Sequence, residues 1–600
     1  MADAQAVEVR VVAPAASSVR LIVFTDDLRA AAAEVELVRT GEDWVGAVPE
    51  GTVYGLVADG DDARFDPSKV LLDPRALDVV FAPNHDRQVA SRRGEPHVGP
   101  LAVATHPQPA RTQRRSNRPP VVYEAHVRGL TIDADVPKGG TYAGLESQLR
   151  RIAALGFSVL ELMPVHQQDP KEGSYLGYMP LAVGAVHRQW AATDDAGSEL
   201  ADLVAAAHDH GVEVWLDVVF NHSTEVDAAG PTYSLRGLAD GAYYRRRDDG
   251  SYIETTGCGN DLDAESPAAQ DLVLWSLDRL ADLGVDGFRF DLAAVLARSP
   301  ELIDRLAEWA QRRGVVLVAE PWDAVGTYLL GRAWPGAGWM QWNDRFRDDV
   351  RGFLRGEPGM VPALRQRLQG SPDLFDRPMH SVNFVTCHDG LTLWDVFAFA
   401  GNRTWNCGWE GDDGVPAEVL ALRHRQLRNA WCVLAMSHGV PMVAMGDELG
   451  RTQGGDDNPY DQDDETSWVD WQRAESFADL TRFVGLLRRA SAPPGAVPAR
   501  LVGEAVRFVE PDADGRAVSW RVGGLLVVAN AWWEPIDVDV SELGGVGHGP
   551  WRRVVDTSCP PPDDILDLSI APVVGGRYLI NARTTVILER QSSFCVTTSA

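Results

Sequence analysis

Gly287-Phe288-Arg289-Phe290-Asp291 is the stretch on which the reading of this 600-residue chain turns. Two aromatics and a glycine suit a buried strand, and a charge then ends it. A carboxylate that closes an apolar strand is expensive to bury, so it must be paired or used. Within the run only Arg289 offers a partner. Taken singly, this is an ordinary ion pair at a strand end. Similar strand ends recur along the chain, however, each finishing in a residue able to act as acid, base or nucleophile.

Outward from this run, apolar strands alternate with helical periodicity from 121 onward. Strands are expected at 121–127, 159–165, 212–220, 287–292, 315–320, 338–342, 382–387 and 441–445. Helices are expected between them at 145–155, 200–209, 272–283, 302–312, 346–354 and 420–436, with a last one at 480–487. Eight such units imply an α/β fold, a (β/α)8 TIM barrel over 121–493 with an insert at about 221–266. A doubly wound sheet fits less well, because no GxGxxG follows an early strand.

The flanks have another rhythm. Short strands at 7–12, 19–24, 35–38, 44–48 and 54–58, with turn residues between them, predict an N-terminal β-sandwich over 1–105. A linker rich in Pro, Arg and Gln follows at 106–120. Strands without helices at 505–509, 517–522, 525–530, 552–556 and 584–588 predict a C-terminal β-sandwich over 494–600, with Trp532 and Trp533 in its core.

A net charge of −30 would repel phosphates, so nucleic acid and anionic membrane surfaces are excluded as partners. A neutral ligand is indifferent to it. The N-terminus carries no basic segment followed by an apolar one. The apolar run 431–445 is interrupted by Ser437, His438, Gly439 and Pro441, and is too short to span a bilayer. Six cysteines show neither CxxC pairs nor framework spacing, which reads as reduced thiols in a cytoplasmic protein. No metal site is expected, and Asp456-Asp457-Asn458 reads as a solvated acidic loop.

Barrel enzymes work at the carboxyl ends of their strands. Strand three ends in Asp217 and Asn221-His222, strand four in Arg289 and Asp291, strand five in Glu320-Pro321-Trp322, and strand seven in His388-Asp389. Carboxylates gathered on one rim repel one another, so stability alone does not explain them. Glycoside hydrolysis needs such a set: one ionised and one protonated carboxyl on either side of an acetal.

The chain resembles the α-amylase family, and within it the glycogen-debranching and isoamylase type. Four regions appear in order: DVVFNH (217–222), GFRFDLAAV (287–295), VAEPW (318–322) and NFVTCHD (383–389). The likeness extends to VYEAHVRGLT (122–131), LGFSVLELMPVH (155–166), TTGCGN (255–260) and GVPMVAMGDELGRTQ (439–453). RFDPSKVLLDP (64–74) resembles part of the family's starch-binding-like N-terminal domain.

That resemblance implies Asp291 as nucleophile, Glu320 as general acid/base about 5–5.5 Å away, and Asp389 holding sugar hydroxyls. Arg289 would keep Asp291 ionised, His222 and His388 would bond the sugar, and Tyr178 would stack on it. Asp217 would pair with Arg289, and Trp322 would form a platform or pack structurally. The implied substrate is glycogen or another branched α-glucan, cut at α-1,6 linkages without a cofactor. A branching enzyme, a trehalose-releasing hydrolase and an inactive glycan-binding barrel stand as alternatives. Three departures fall where chain-length preference is set: Ser174-Tyr175-Leu176-Gly177-Tyr178-Met179 after strand two, a short loop after strand seven, and a trimmed N-terminal domain.

Overall fold

The computed structural model describes residues 6–61, 64–113, 118–334, 338–491, 508–509, 515–541 and 550–590. At its centre eight parallel strands close into a barrel. They are Val122–Ala125, Val159–Leu162, Glu213–Val218, Gly287–Phe290, Val316–Ala319, Met340–Asn343, Ser381–Asn383 and Val440–Ala444. The first pairs with both the second and the eighth, Val122 lying opposite Val159 and Met442. Strands with both faces covered read as continuous apolar runs, which is why all eight were legible.

The interior is packed by Val122, Val159, Trp215, Val318, Trp342, Val382 and Met442. One layer higher the inward positions turn polar, with Glu124, Glu161, Asp217 and Arg289 buried. The barrel is therefore hydrophobic below and charged at its mouth.

Strand seven is shorter than the sequence suggested. It stops at Asn383, not at 387. Strand six turns into the helix Asp344–Arg355 after Asn343, whose side chain caps it. Strand eight sets Pro441, which has no N–H, opposite Asn383. The segment from Phe384 to Asp389 thus leaves the ladder and reaches the rim as a loop. The helix expected at 145–155 is also broken, into Tyr142–Glu146 and Leu149–Ala154. Its apolar spacing persists across the break, since Tyr142, Leu145, Leu149 and Ile152 are all buried.

Before the barrel lie two antiparallel sheets. Ala6–Val12, Asp43–Pro49 and Val38–Thr40 form one, and five strands from Ser18–Phe24 to Pro100–Val103 form the other. Val9, Val11, Val19, Leu21, Trp44 and Leu56 share one core between them, and Tyr233 and Leu238 from the insert after strand three join it. The insert is therefore the joint between this region and the barrel: Leu72 N–H donates to Tyr233 O at 2.6 Å, and Ser234 Oγ donates to Leu72 O at 2.9 Å.

After the barrel a five-stranded antiparallel sheet includes Ala517–Val522, Leu525–Asn530, Thr584–Arg590 and Trp551–Asp556. Residues 505–507 of the expected strand at 505–509 lie outside the described residues. A two-stranded sheet, Ile536–Asp539 with Arg577–Ile580, was not anticipated. Trp520 Nε1–H donates to Met436 O at 2.9 Å and ties this region to the barrel.

Trp532 and Trp533 are not core residues. They stand on the turn between Leu525–Asn530 and Ile536–Asp539, stacked at 3.5 Å with Arg516 over the rings. Trp533 is 57% exposed. The five cysteines among the described residues are unpaired. Among the described residues no helix is long and apolar enough to cross a membrane.

Candidate active site

The site is built around one guanidinium. Arg289 is fully buried, two residues before Asp291, on a strand whose Gly287 leaves room for the Trp215 ring. A Cβ at Gly287 would come within 2.7 Å of that indole. In register, Arg289 stands opposite Asp217 of strand three. Its Nη1 donates to Asp217 Oδ2 at 2.7 Å and to Asp291 Oδ1 at 3.2 Å. Its Nη2 lies 3.1 Å from Glu320 Oε2. The plane of the guanidinium lies over the Trp342 ring at 4.1 Å. A planar fork can serve three carboxyls at once, which a point-charge ammonium cannot.

Asp291 and Glu320 are both buried. Asp291 N–H donates to Val218 O, and Glu320 N–H donates to Phe290 O, so neighbouring strand ends hold them side by side. Leu292, between the two functional segments, takes a left-handed conformation with φ of 38°. That turn aims its N–H at Glu320 Oε2, at 2.7 Å. A non-glycine residue held there is a strained position of the kind found at active sites. Asn221 Nδ2 donates to Asp291 Oδ2 at 2.6 Å. The strand end that contains Asn221 assigns it no role from sequence, because its partner lies in the next strand unit.

The two carboxyls are electrostatically unlike. Burial, together with Asp291 and Asp389 and against the pull of Arg289, pushes Glu320 up to about 8. Asp291 sits where a carboxylate is solvated by protein: it accepts from Arg289 and from Asn221. Asp217, pushed up to about 6 by burial against Arg289, also accepts from Tyr178 Oη at 2.5 Å.

The third carboxyl, Asp389, stands on the loop after strand seven with its side chain 63% exposed. Its Oδ2 is 3.5 Å from His388 Nε2, and His388 Nδ1 lies 2.7 Å from Glu124 Oε1. Tyr178 stacks on the His388 ring at 4.9 Å and 20°. His222, expected to bond the sugar, has protein partners at both ring nitrogens: Nδ1 meets Asn221 Oδ1, and Nε2 lies 2.7 Å from Tyr178 O. Trp322 stacks on Tyr328 at 6.4 Å. Cys258, in the TTGCGN loop, has its thiol pushed up to about 12, first by burial and then by Asp291. It is an inert thiol.

Asp291, Glu320, Asp389, Arg289, His388, Tyr178 and Asp217 thus come together, His222 stands one step behind them, and Trp322 lies beyond Glu320. Sequence reasoning missed Asn221, Glu124, Glu161 and Trp342. Glu124 and Glu161, charges inside apolar strands, were the available signal.

Removing Arg289 tests this electrostatic centre. Arg289→Ala leaves Asp217, Asp291 and Glu320 without their shared cation, and the fold is expected to lose about 3–5 kcal/mol. Arg289→Lys is expected to recover only part of this. The urea midpoint checks both, and an unshifted midpoint in Arg289→Ala would mean that the carboxyls do not depend on it.

Comparison with known proteins gives a consistent result. The family model described as the α-amylase catalytic domain matches residues 110–236. A glycogen operon protein GlgX homolog of Mycobacterium tuberculosis (strain ATCC 25618 / H37Rv) is 40% identical over 504 residues, 73% of this chain and 70% of that protein. A glycogen debranching enzyme of Dickeya chrysanthemi is 36% identical over 551 residues, 82% of this chain and 83% of that one. Among solved structures, a pullulanase from Bacillus acidopullulyticus superposes with a TM-score of 0.77 over 98% of this chain and 74% of its own, at 24% identity.

Proposed function

The chain belongs to the α-amylase family, with the glycogen debranching enzymes among its relatives, and from that premise we propose that it hydrolyses α-1,6 branch linkages of glycogen or a limit dextrin. One observation carries the chemistry: Asp291 and Glu320 rest on opposite Nη atoms of one buried arginine, and Glu320 is pushed up to about 8. At neutral pH this supports one carboxylate and one carboxylic acid across the scissile bond.

Asp291, which accepts hydrogen bonds from Arg289 and Asn221, attacks the anomeric carbon. The bond to the leaving oxygen breaks as Glu320 gives that oxygen its proton. A covalent glycosyl-enzyme results. Water then adds as Glu320 takes one of its protons, the bond to Asp291 breaks, and the configuration is retained. Asp389, open to the cleft, accepts sugar hydroxyls in the distorted transition state. No cofactor enters these steps. The net charge of −30 does not oppose a neutral polysaccharide. The unpaired thiols among the described residues suit a cytoplasmic setting.

Incubation with glycogen, pullulan and a debranched linear chain side by side tests the reading. The expected result is new reducing ends and deeper iodine colour from glycogen, with little release from the linear chain. Pullulan reports whether α-1,6 links within an unbranched chain are also accepted. Falling iodine colour at constant reducing ends indicates branching instead. Equal attack on the linear chain indicates α-1,4 cleavage.

A further inference from the structure

Two buried carboxyls in the barrel have no place in the steps above. Glu124 of strand one and Glu161 of strand two stand opposite each other in register, 3% and 2% exposed. Like charges side by side in a packed interior call for a compensating group. Glu161 is pushed well above the carboxylate range by burial, Glu124 and Asp217. Glu124 has a cationic partner, Nδ1 of His388 at 2.7 Å, which stands 264 residues away in sequence.

We propose that Glu124 is a positioning residue for the reaction: it accepts a hydrogen bond from the Nδ1–H of His388 and so aims the opposite edge of that ring at Asp389. This rests on the role given to Asp389 above. Asp389 needs such support, because the strand that should carry it stops at Asn383. Its backbone is tied by Cys387 Sγ, 3.4 Å from Asp389 O. Its carboxylate has one protein partner among the described residues, His388 Nε2 at 3.5 Å. With a carboxylate oxygen facing each ring nitrogen, both nitrogens carry a proton. Tyr178, stacked on one face, stops the ring from turning. Placement therefore passes from a rigid strand, through an imidazolium, to an exposed catalytic loop.

Asp389 and Glu124 together sustain the charge on His388. Burial opposes the cation, yet Asp389 and Glu124 push it up to about 10. Arg289 of strand four works against it, and Arg451 after strand eight lines the same small cavity. Asp217 of strand three is engaged by Arg289 and Tyr178. Burial keeps Tyr178, Cys387 and His126 uncharged. Without Glu124, the imidazolium loses its hydrogen-bonded carboxylate and is left with the solvent-exposed Asp389 and with Asp217, already engaged by Arg289.

The test compares debranching by wild type, Glu124→Gln, Glu124→Asp, Asp389→Asn and the Glu124→Gln/Asp389→Asn pair. Glu124→Gln is expected to lower kcat about 10–100-fold, with KM within about 3-fold. It should also show a new loss of activity as pH rises through the ordinary histidine range near 6.5. In the Asp389→Asn background the same change is expected to cost less than about 3-fold, since nothing remains to be aimed. Penalties that multiply, or Glu124→Gln within about 3-fold of wild type at an unchanged pH profile, overturn the inference. If Glu124→Gln does not fold, Glu124→Asp decides. It keeps the charge one methylene further back and is expected to retain the wild-type pH profile at reduced kcat. A new loss near 6.5, or wild-type kcat, refutes the role. A wild-type protein that releases no branches would sink the proposed function instead.

Discussion

Asp291→Asn lowers release of reducing ends from glycogen by on the order of 10⁴-fold or more, while the protein stays folded. The size follows from the role: without a nucleophile no glycosyl-enzyme forms, and what remains is binding and the acid group. The replacement is nearly isosteric, so packing changes little. Arg289 keeps Asp217 and Glu320 as partners, so the buried cation is not stranded. A second effect has a definite sign. Asp291 is one of the groups that push Glu320 up, so its neutralisation brings the Glu320 acidity back toward the ordinary range. The checks are a reducing-end assay at high enzyme concentration and a urea melt run beside it. Residual activity within about 100-fold of wild type, in a preparation proved free of other hydrolases, would remove Asp291 from the role.

The second large effect belongs to Glu320. Its carboxyl is pushed up to about 8 by burial, then by Asp291 and Asp389 against Arg289. A raised value means that the proton is held through neutrality and lost above about 8. Glycosyl transfer to Asp291 needs that proton, so activity is expected to fall as pH rises through this region. Glu320→Gln can neither donate it nor later activate water. The expected loss on glycogen is about 10²–10⁴-fold, and the alkaline limb disappears. A substrate with an acidic phenol as leaving group needs no protonation, so it is expected to recover the first step and accumulate glycosyl-enzyme on Asp291. A wild-type profile flat to pH 10, or an unchanged limb in Glu320→Gln, would place the acid elsewhere.

The places where sequence reading and structure part company share a cause. Trp532 and Trp533 are expected in a core as part of a C-terminal strand. The strand ends at Asn530, and the chain past them joins a separate two-stranded sheet, Ile536–Asp539 with Arg577–Ile580, so they stand on the turn between. Strand seven was expected to run to 387 because its residues are apolar. It ends earlier because Pro441, far along the chain, falls opposite Asn383. Neither register is visible in local pattern. The site divides in the same way. Asp291, Glu320 and Asp389 stand out as charges at the ends of apolar runs. Glu124 does not, since its meaning lies in a histidine 264 residues away.

From its residues alone, then, this protein declares an eight-fold strand and helix alternation, two flanking β regions and a set of acids at strand ends. These are written in local periodicity and in the cost of leaving charge beside apolar side chains. Only the closed barrel decides which acid keeps its proton, which loop needs a prop, and that one guanidinium serves Asp217, Asp291 and Glu320 together. Protonation and placement depend on burial and on neighbours remote in the chain, and both exist only once the cylinder has closed.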